Sequence, residues 1–450
     1  MRMACVVAAG AALWLAAAAL SGPAAAQVQA SGPYSGPSSG PSSGPTQPYV
    51  VKSGETLRGI AVAVLRRESD YREVQTLNRV ADPYRLPVGM TLRLPVELLR
   101  TRLVQARLVS FHGDVSLRQG AALVATRVGA AVAEGAEIET GANSNARFSL
   151  PDGGVVAVPS MSRVRLARLR AYVLNGAVEQ EITILGGRSE FQVSPVRAPG
   201  GFRVGTPLSA SAVRGTEFRV GYDGAADRAS TEVLGGSVHV APEGLEPLIA
   251  APRQGVAIAQ GRAQLVDLLA EPAWQSGNAV QAGAEISFAL APEVGAQLYR
   301  AVVATDAGFV NVVGGGQSRP GEARIGLFSL PDGPYFVRLT AVSPLGVEGM
   351  PADYPFVRAL NIASGLSTET GSGGRVAFFW STPPYGAETY RFQLARAGGA
   401  VIVDRPDLTR AGVIVPDLAA GDYEWRVMAR RTVDNLPVEA WSPSRTLTVP

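Results

Sequence analysis

Tyr49-Val-Val-Lys-Ser-Gly-Glu-Thr-Leu57 changes character three times within one short stretch. Tyr49, Val50 and Val51 suit a strand. Ser53-Gly54-Glu55-Thr56 carries turn chemistry, with Ser53 the expected helix N-cap and Thr56 in the first turn. From Leu57 onward the apolar residues Leu57, Ile60, Ala61 and Val64 recur at i, i+3, i+4 and i+7, which is one face of a helix. Val74, Leu77 and Asn78 suggest a second helix, and Asp82-Pro83 ends it, because the residue before proline is pushed out of the helical region. Met90-Thr91-Leu92-Arg93-Leu94 alternates as a closing strand. The expected order over residues 49–96 is β-α-α-β.

On the N-terminal side, residues 27–48 contain Ser-Gly-Pro-Tyr-Ser-Gly-Pro-Ser-Ser-Gly-Pro-Ser-Ser-Gly-Pro. Glycine and serine loosen such a chain and recurring proline extends it, so a disordered tether is expected. Residues 1–26 have a charged start at Arg2, an apolar run from Val6 to Leu20 and small residues at Ala24-Ala25-Ala26. This is the pattern of a cleaved export signal, and the run is shorter than the ~20 residues of a membrane span. Cys5, the sole cysteine, lies inside it, so the mature chain is expected to be disulfide-free and to have no transmembrane helix.

On the C-terminal side helical periodicity fades. Over residues 100–272 short alternating runs recur, among them Val115–Arg118, Arg147–Leu150, Val155–Val158, Val164–Leu166, Glu181–Ile184, Phe191–Val193, Phe202–Val204, Glu217–Val220 and Ser237–Val240. Asp152-Gly153-Gly154, Gly186-Gly187 and Gly235-Gly236 punctuate them. Many short strands between turns predict an all-β domain. Glu134, Glu137 and Glu139 are expected on a solvated strand edge. Residues 273–362 and 363–450 repeat one design. Leu330 matches Leu418, Gly333 matches Gly421 and Tyr335 matches Tyr423 at a single offset of 88. Tyr299 and Tyr390 fill the same upstream slot. A repeat of about 90 residues fits a seven-stranded sandwich. Asp152-Gly153 and Asp332-Gly333 both read as hairpin turns. The fold expected is multidomain and mainly β: a small α+β module, an all-β domain and two β-sandwich repeats.

Three resemblances follow from these residues. The opening stretch, with Leu77-Asn78 and Leu86-Pro87-Val88-Gly89-Met90-Thr91-Leu92, resembles the LysM module. That resemblance implies a shallow groove for N-acetylated glycans such as peptidoglycan. The implied glycan-binding residues are Gly54, Glu55, Thr56 and Leu57 on one loop and Tyr84, Leu86, Pro87, Val88 and Gly89 on the facing one. Glu55 stands where aspartate is commoner, and Tyr71-Arg72 where many members carry tryptophan. Ala133–Ser160 and Phe202–Val220, the latter including Val213-Arg-Gly-Thr-Glu-Phe218, resemble the FecR domain over roughly residues 105–262. In iron-transport regulators that domain relays an outer-membrane signal. No segment here reads as the membrane helix or the cytoplasmic part of such a relay, so a periplasmic interaction module is what remains. Within it, Gly215 is expected at a bulge, with Arg214 and Thr216 bonding local backbone. The two repeats resemble fibronectin type III modules, the second more closely through Trp380 and Trp441-Ser-Pro.

Composition narrows the function. The formal net charge is only +3, with no concentrated basic run, which gives no case for nucleic acid. Histidine occurs only as His112 and His239, each in a strand-like segment, which leaves little for a zinc site. No nucleophile elbow, phosphate loop or dinucleotide fingerprint is present. No enzyme activity, metal or cofactor is therefore expected. The expected partner is peptidoglycan or another glycan containing N-acetylglucosamine, with another envelope protein as a second partner. The alternative expectation is a periplasmic sensory accessory acting through the FecR-like domain.

Overall fold

The computed structural model describes residues 44–275, 279–283, 285–327, 330–360, 362–383, 386–433 and 436–450. The export signal and nearly all of the expected tether lie outside the described residues. The N-terminal module is β1 (Thr46–Val50), α1 (Leu57–Val64), α2 (Tyr71–Asn78) and β2 (Thr91–Pro95). β1 and β2 pair antiparallel from Thr46 opposite Pro95 to Val50 opposite Thr91. The first strand therefore begins inside the stretch expected to be tether, because Thr46-Gln47-Pro48 finds a partner in Arg93-Leu94-Pro95. Leu57, Ile60, Ala61 and Val64 are all buried, and they pack with Val74, Leu92 and Leu94. Each fully buried aliphatic side chain contributes about 1.5–3 kcal/mol.

This module is not strung on a loose linker. Its core continues into Leu99, Tyr172 and Ala177 of the next domain. Arg66 N donates to Leu98 O, Arg100 N to Val64 O and Val173 N to Arg100 O, at 2.8–2.9 Å. The residues after β2 are thus pinned on both sides.

The second domain is all-β. Its strands, from Thr101–Leu103 to Arg262–Asp267, close on one another as a barrel whose pairings group into two sheets. Aromatic side chains Phe148, Phe191, Phe202 and Phe218 fill its core, with the Phe191 and Phe218 rings stacked at 4.9 Å. The runs Glu181–Ile184 and Phe191–Val193, expected as separate strands, belong mostly to one strand, Val178–Gln192. Its first part pairs with Ser162–Tyr172 as far as Gly186 opposite Arg163. From Gly187 opposite Tyr222 it pairs instead with Glu217–Asp223 in the other sheet. Gly186-Gly187 is the place where the strand changes sheets, not a turn that ends it. Gly187 sits at φ 75°, and a Cβ there would lie 2.4 Å from Met161 O.

Three further expectations are corrected. Strand Ala136–Thr140 is paired on both sides, with Val115–Gln119 and Ser162–Tyr172, so Glu137 and Glu139 are on an interior strand. Two of the three acids are matched by cations: Glu134 takes Arg170 and Glu137 takes Arg165. Arg214-Gly215-Thr216 is a corner joining Ser209–Val213 of one sheet to Glu217–Asp223 of the other. There Gly215 has φ 77° and faces Pro195, and the buried Thr216 hydroxyl has no partner among the described residues. Asp152-Gly153 does close a hairpin, between Asn145–Ser149 and Val155–Val158. Asp332-Gly333 does not. It leads from Arg324–Leu327 to Gly333–Val342, strands of different sheets, and Asp332 Oδ1 accepts from Leu360 N at 2.9 Å.

The first sandwich sets a five-stranded sheet (Val280–Gln281, Ala352–Arg358, Gly333–Val342, Leu298–Ala304, Val312–Gln317) against the pair Ile286–Ala289 and Arg324–Leu327. The second sets Ser364–Thr370, Val376–Ser381 and Gly412–Val415 against a sheet centred on Thr389–Arg396 and Gly421–Val433. The repeat read at offset 88 has a physical basis. Tyr335 Oη donates to Pro331 O at 3.0 Å and Tyr423 Oη to Ala419 O at 2.7 Å, the same corner in both copies.

The barrel and the first sandwich face each other through charged sheet surfaces. Glu348, 5% exposed, receives Arg219 at 2.9 Å and also pairs with Arg188 and Arg300. The Glu348 N–H donates to Glu232 Oε1 at 3.2 Å. Ser110 and Asn145 side chains donate to Val310 O and Val312 O. Apolar residues Ala257, Leu268 and Val347 close one side of the joint.

Candidate functional site

The nine residues expected to hold a ligand lie on two neighbouring loops of the N-terminal module. Thr56, not Ser53, caps α1. Its Oγ1 accepts from Gly59 N at 3.0 Å, and its backbone is extended, as a cap requires. Ser53 falls in the tight turn before it. Leu57 N donates to Pro83 O at 2.9 Å, which ties the first loop directly to the second. Gly89 N donates to Val51 O, and Val51 N to Met90 O, both at 2.9 Å. The second loop is therefore held at both ends. Asp82 Oδ1 accepts from Tyr84 N at 2.8 Å and shapes it further.

The two loops present different chemistry. Tyr84 is 63% exposed and Val88 68%, beside exposed Pro87 and half-buried Leu86. Gly54 and Gly89 have φ 79° and 84°, and no atom would meet a Cβ at either one. Backbone torsion, not crowding, thus asks for glycine there. The open space leaves both peptide backbones accessible. Leu57 is the exception among the nine. Its side chain is 1% exposed in the module's core and its N–H is already bonded to Pro83, so it supports the loop and cannot touch a sugar. Helix α1 offers fewer free N–H groups than its N-terminus suggests, because Thr56 and Pro83 take two of them.

Glu55 also works inward. Its Oε1 accepts from Tyr49 Oη at 2.6 Å and its Oε2 from Lys52 N at 2.8 Å. Burial and the Glu55 hydrogen bond push the Tyr49 hydroxyl up to about 12. Burial opposes ionisation of Glu55, yet the Tyr49 hydroxyl and Lys52 N–H hold its carboxyl below the usual carboxylate range. The Glu55 side chain thereby locks the turn around Gly54. Asn78 does the same for the far side: Nδ2 donates to Val74 O and Arg93 O, and Oδ1 accepts from Arg93 N at 2.7 Å. Replacing Asn78 by Ala removes its two bonds to β2, leaving the one from the Arg93 guanidinium to Leu77 O. The expected loss is about 2 kcal/mol, read as a lower thermal midpoint; an unchanged midpoint would show that the links are dispensable.

A cavity also lies elsewhere, between the barrel and the first sandwich. Its charged lining includes Arg188, Glu190, Arg219 and Arg300, and strand alternation alone gives no signal that another domain covers them. Among the described residues, no three His, Cys, Asp or Glu side chains stand close enough to hold a metal ion, and no helix is long and apolar enough to cross a membrane.

An α+β module joined to an all-β barrel and two sandwiches defines the class of molecule. Residues 49–95 match the family model of the LysM domain, and residues 136–239 match that of the FecR protein. The chain carries a LysM domain followed by a FecR domain. No curated protein matches it. Among solved structures, a protein of Parabacteroides distasonis assigned as an anti-sigma factor is 19% identical over 29% of this chain, with a TM-score of 0.26. The chain spans 59% of that protein's length. A two-domain fibronectin type III segment of chicken tenascin is 14% identical over 41% of this chain and all of its own, with a TM-score of 0.19. The FN1–FN3 domains of chicken CNTN1 are 13% identical over 59% of this chain and 97% of their own, with a TM-score of 0.26.

Proposed function

We propose that this chain is an exported, non-enzymatic envelope protein that binds peptidoglycan, or another glycan containing N-acetylglucosamine, through the two loops of its LysM domain. One observation carries the reading: exposed Tyr84 and Val88 stand on a loop clamped to the Gly54–Leu57 stretch by the bond from Leu57 N to Pro83 O. A ring and an isopropyl group suit sugar faces and acetyl methyls. The open backbone at Gly54 and Gly89 suits the amide groups beside them. Binding costs several kcal/mol in lost freedom, so one such shallow site is weak alone and gains from the many repeats of a wall polymer. Because the module is packed onto the barrel, the glycan would hold the barrel and sandwiches in a fixed pose, displayed to another envelope protein.

The test is co-sedimentation of the intact protein with purified sacculi. Tyr84→Ala combined with Val88→Asp is expected to reduce the bound fraction at least about tenfold while circular dichroism stays unchanged. Equal sedimentation of the two proteins would contradict the assignment. The same protein is expected to leave a peptidoglycan gel intact, and a cleared zone would refute the non-enzymatic part. The match to FecR supports a second reading, a sensory accessory in the periplasm. That reading expects a transcriptional change on deletion, which the anchoring role does not.

A further inference from the structure

The facing sheets of the barrel and the first sandwich enclose a cleft of about 710 Å³. Small-ligand sites commonly have volumes of roughly 300–1,000 Å³. Six arginines and four carboxylates line it, and Arg338 is paired with Asp353 just outside the lining, which leaves an excess of one positive charge. Glu348 is already shared by Arg188, Arg219 and Arg300. Glu232, 2% exposed, is raised above its usual range by burial, which weakens it further as a counter-charge. Arg147 stands apart from this group. Its guanidinium donates to Phe309 O at 3.1 Å, and among the described residues no carboxylate lies within ion-pair distance of it. Glu190 and Asp306 attract it from farther off, while Arg338 repels it.

Buried positive charge without a matching anion is costly, and arginine forks suit planar oxyanions. We propose that this cleft binds a small anionic ligand, whose carboxylate or phosphate oxygens take the Arg147 guanidinium and the outer N–H groups of Arg188 and Arg300. Those two side chains keep 20% and 28% of their surface exposed, so they can donate into the cleft while still holding Glu348. The site uses domains other than the LysM domain and is independent of glycan binding.

Isothermal titration of the intact protein with citrate, and separately with inorganic phosphate, at constant ionic strength tests this. Saturable one-site binding of either anion is expected, citrate marking a carboxylate ligand and phosphate a phosphorylated one. Arg147→Gln should weaken binding roughly ten- to a hundredfold, the range for losing a charged hydrogen bond. Arg147→Lys should retain most of it. The absence of saturable heat with both anions, or equal affinity in Arg147→Gln, would overturn the proposal. An anion-free thermal midpoint matching the wild type shows that the variant is folded. Should it not match, hydrogen exchange of the wild-type strand Val312–Gln317 decides instead: slowing by the anion supports the site, and unchanged rates overturn it.

Discussion

Glu348→Gln is expected to destabilise the joined barrel and first sandwich by about 3–5 kcal/mol, the range for removing one partner of a buried ion pair. The side chain of Glu348 is buried, and one carboxylate answers Arg188, Arg219 and Arg300 together. Glutamine keeps the shape and one acceptor but removes the charge. Arg219, 3% exposed, cannot turn to water, and besides the single glutamine oxygen that three arginines would share it keeps backbone acceptors such as Gly349 O at 2.6 Å. In a chain of several domains the loss should appear first as separation of the two bodies, not as one global transition. Faster hydrogen exchange at residues 309–316 and 343–350, ahead of the barrel core, is the expected signature. Unchanged exchange there would mean that the apolar contacts of Leu268 and Val347 suffice.

The second large effect is expected at Gly187. Alanine there must adopt φ 75° and place a Cβ 2.4 Å from Met161 O and 2.6 Å from Ser162 Cα. The left-handed backbone alone costs about 1–2 kcal/mol for a residue with a Cβ. Forcing backbone apart in a packed sheet adds about 1–3 kcal/mol. The combined loss, about 3 kcal/mol or more, falls on the strand that belongs to both sheets of the barrel. Denaturant titration should show a clear fall in midpoint for Gly187→Ala. Gly186→Ala, where a Cβ meets nothing within 4 Å, should cost far less. Equal effects at the two glycines would contradict the role given to the sheet crossing.

These two sites also mark where sequence reading stopped. Alternation identified the strands on either side of Gly186-Gly187, because Ile182, Ile184 and Phe191 point inward. It gave no sign that one strand runs through both glycines, since a turn and a sheet-changing kink ask for the same residue. Period-two patterns also say which face is polar but not whether another domain covers it. Nothing in the pattern therefore marks Arg188, Arg219 and Arg300, which Glu348 gathers in a joint. The N-terminal module was more legible. Its helix stripe comes from local spacing, while its two ligand loops follow from the resemblance to the LysM module. Even there, Ser53 and Thr56 are both good capping residues, and only the bond from Gly59 N to Thr56 Oγ1 separates them. The sandwich repeat was legible because a tyrosine hydroxyl must return to backbone four residues upstream in each copy.

The central claim is that the loops around Gly54 and Val88 hold acetylated sugar. The most direct measurement follows backbone amide resonances of the intact protein while chitopentaose is added. Saturable shifts are predicted for Gly54, Thr56, Val88 and Gly89, with the barrel core unmoved. Loop amides that stay still at millimolar sugar, or shifts confined to the other domains, would contradict it.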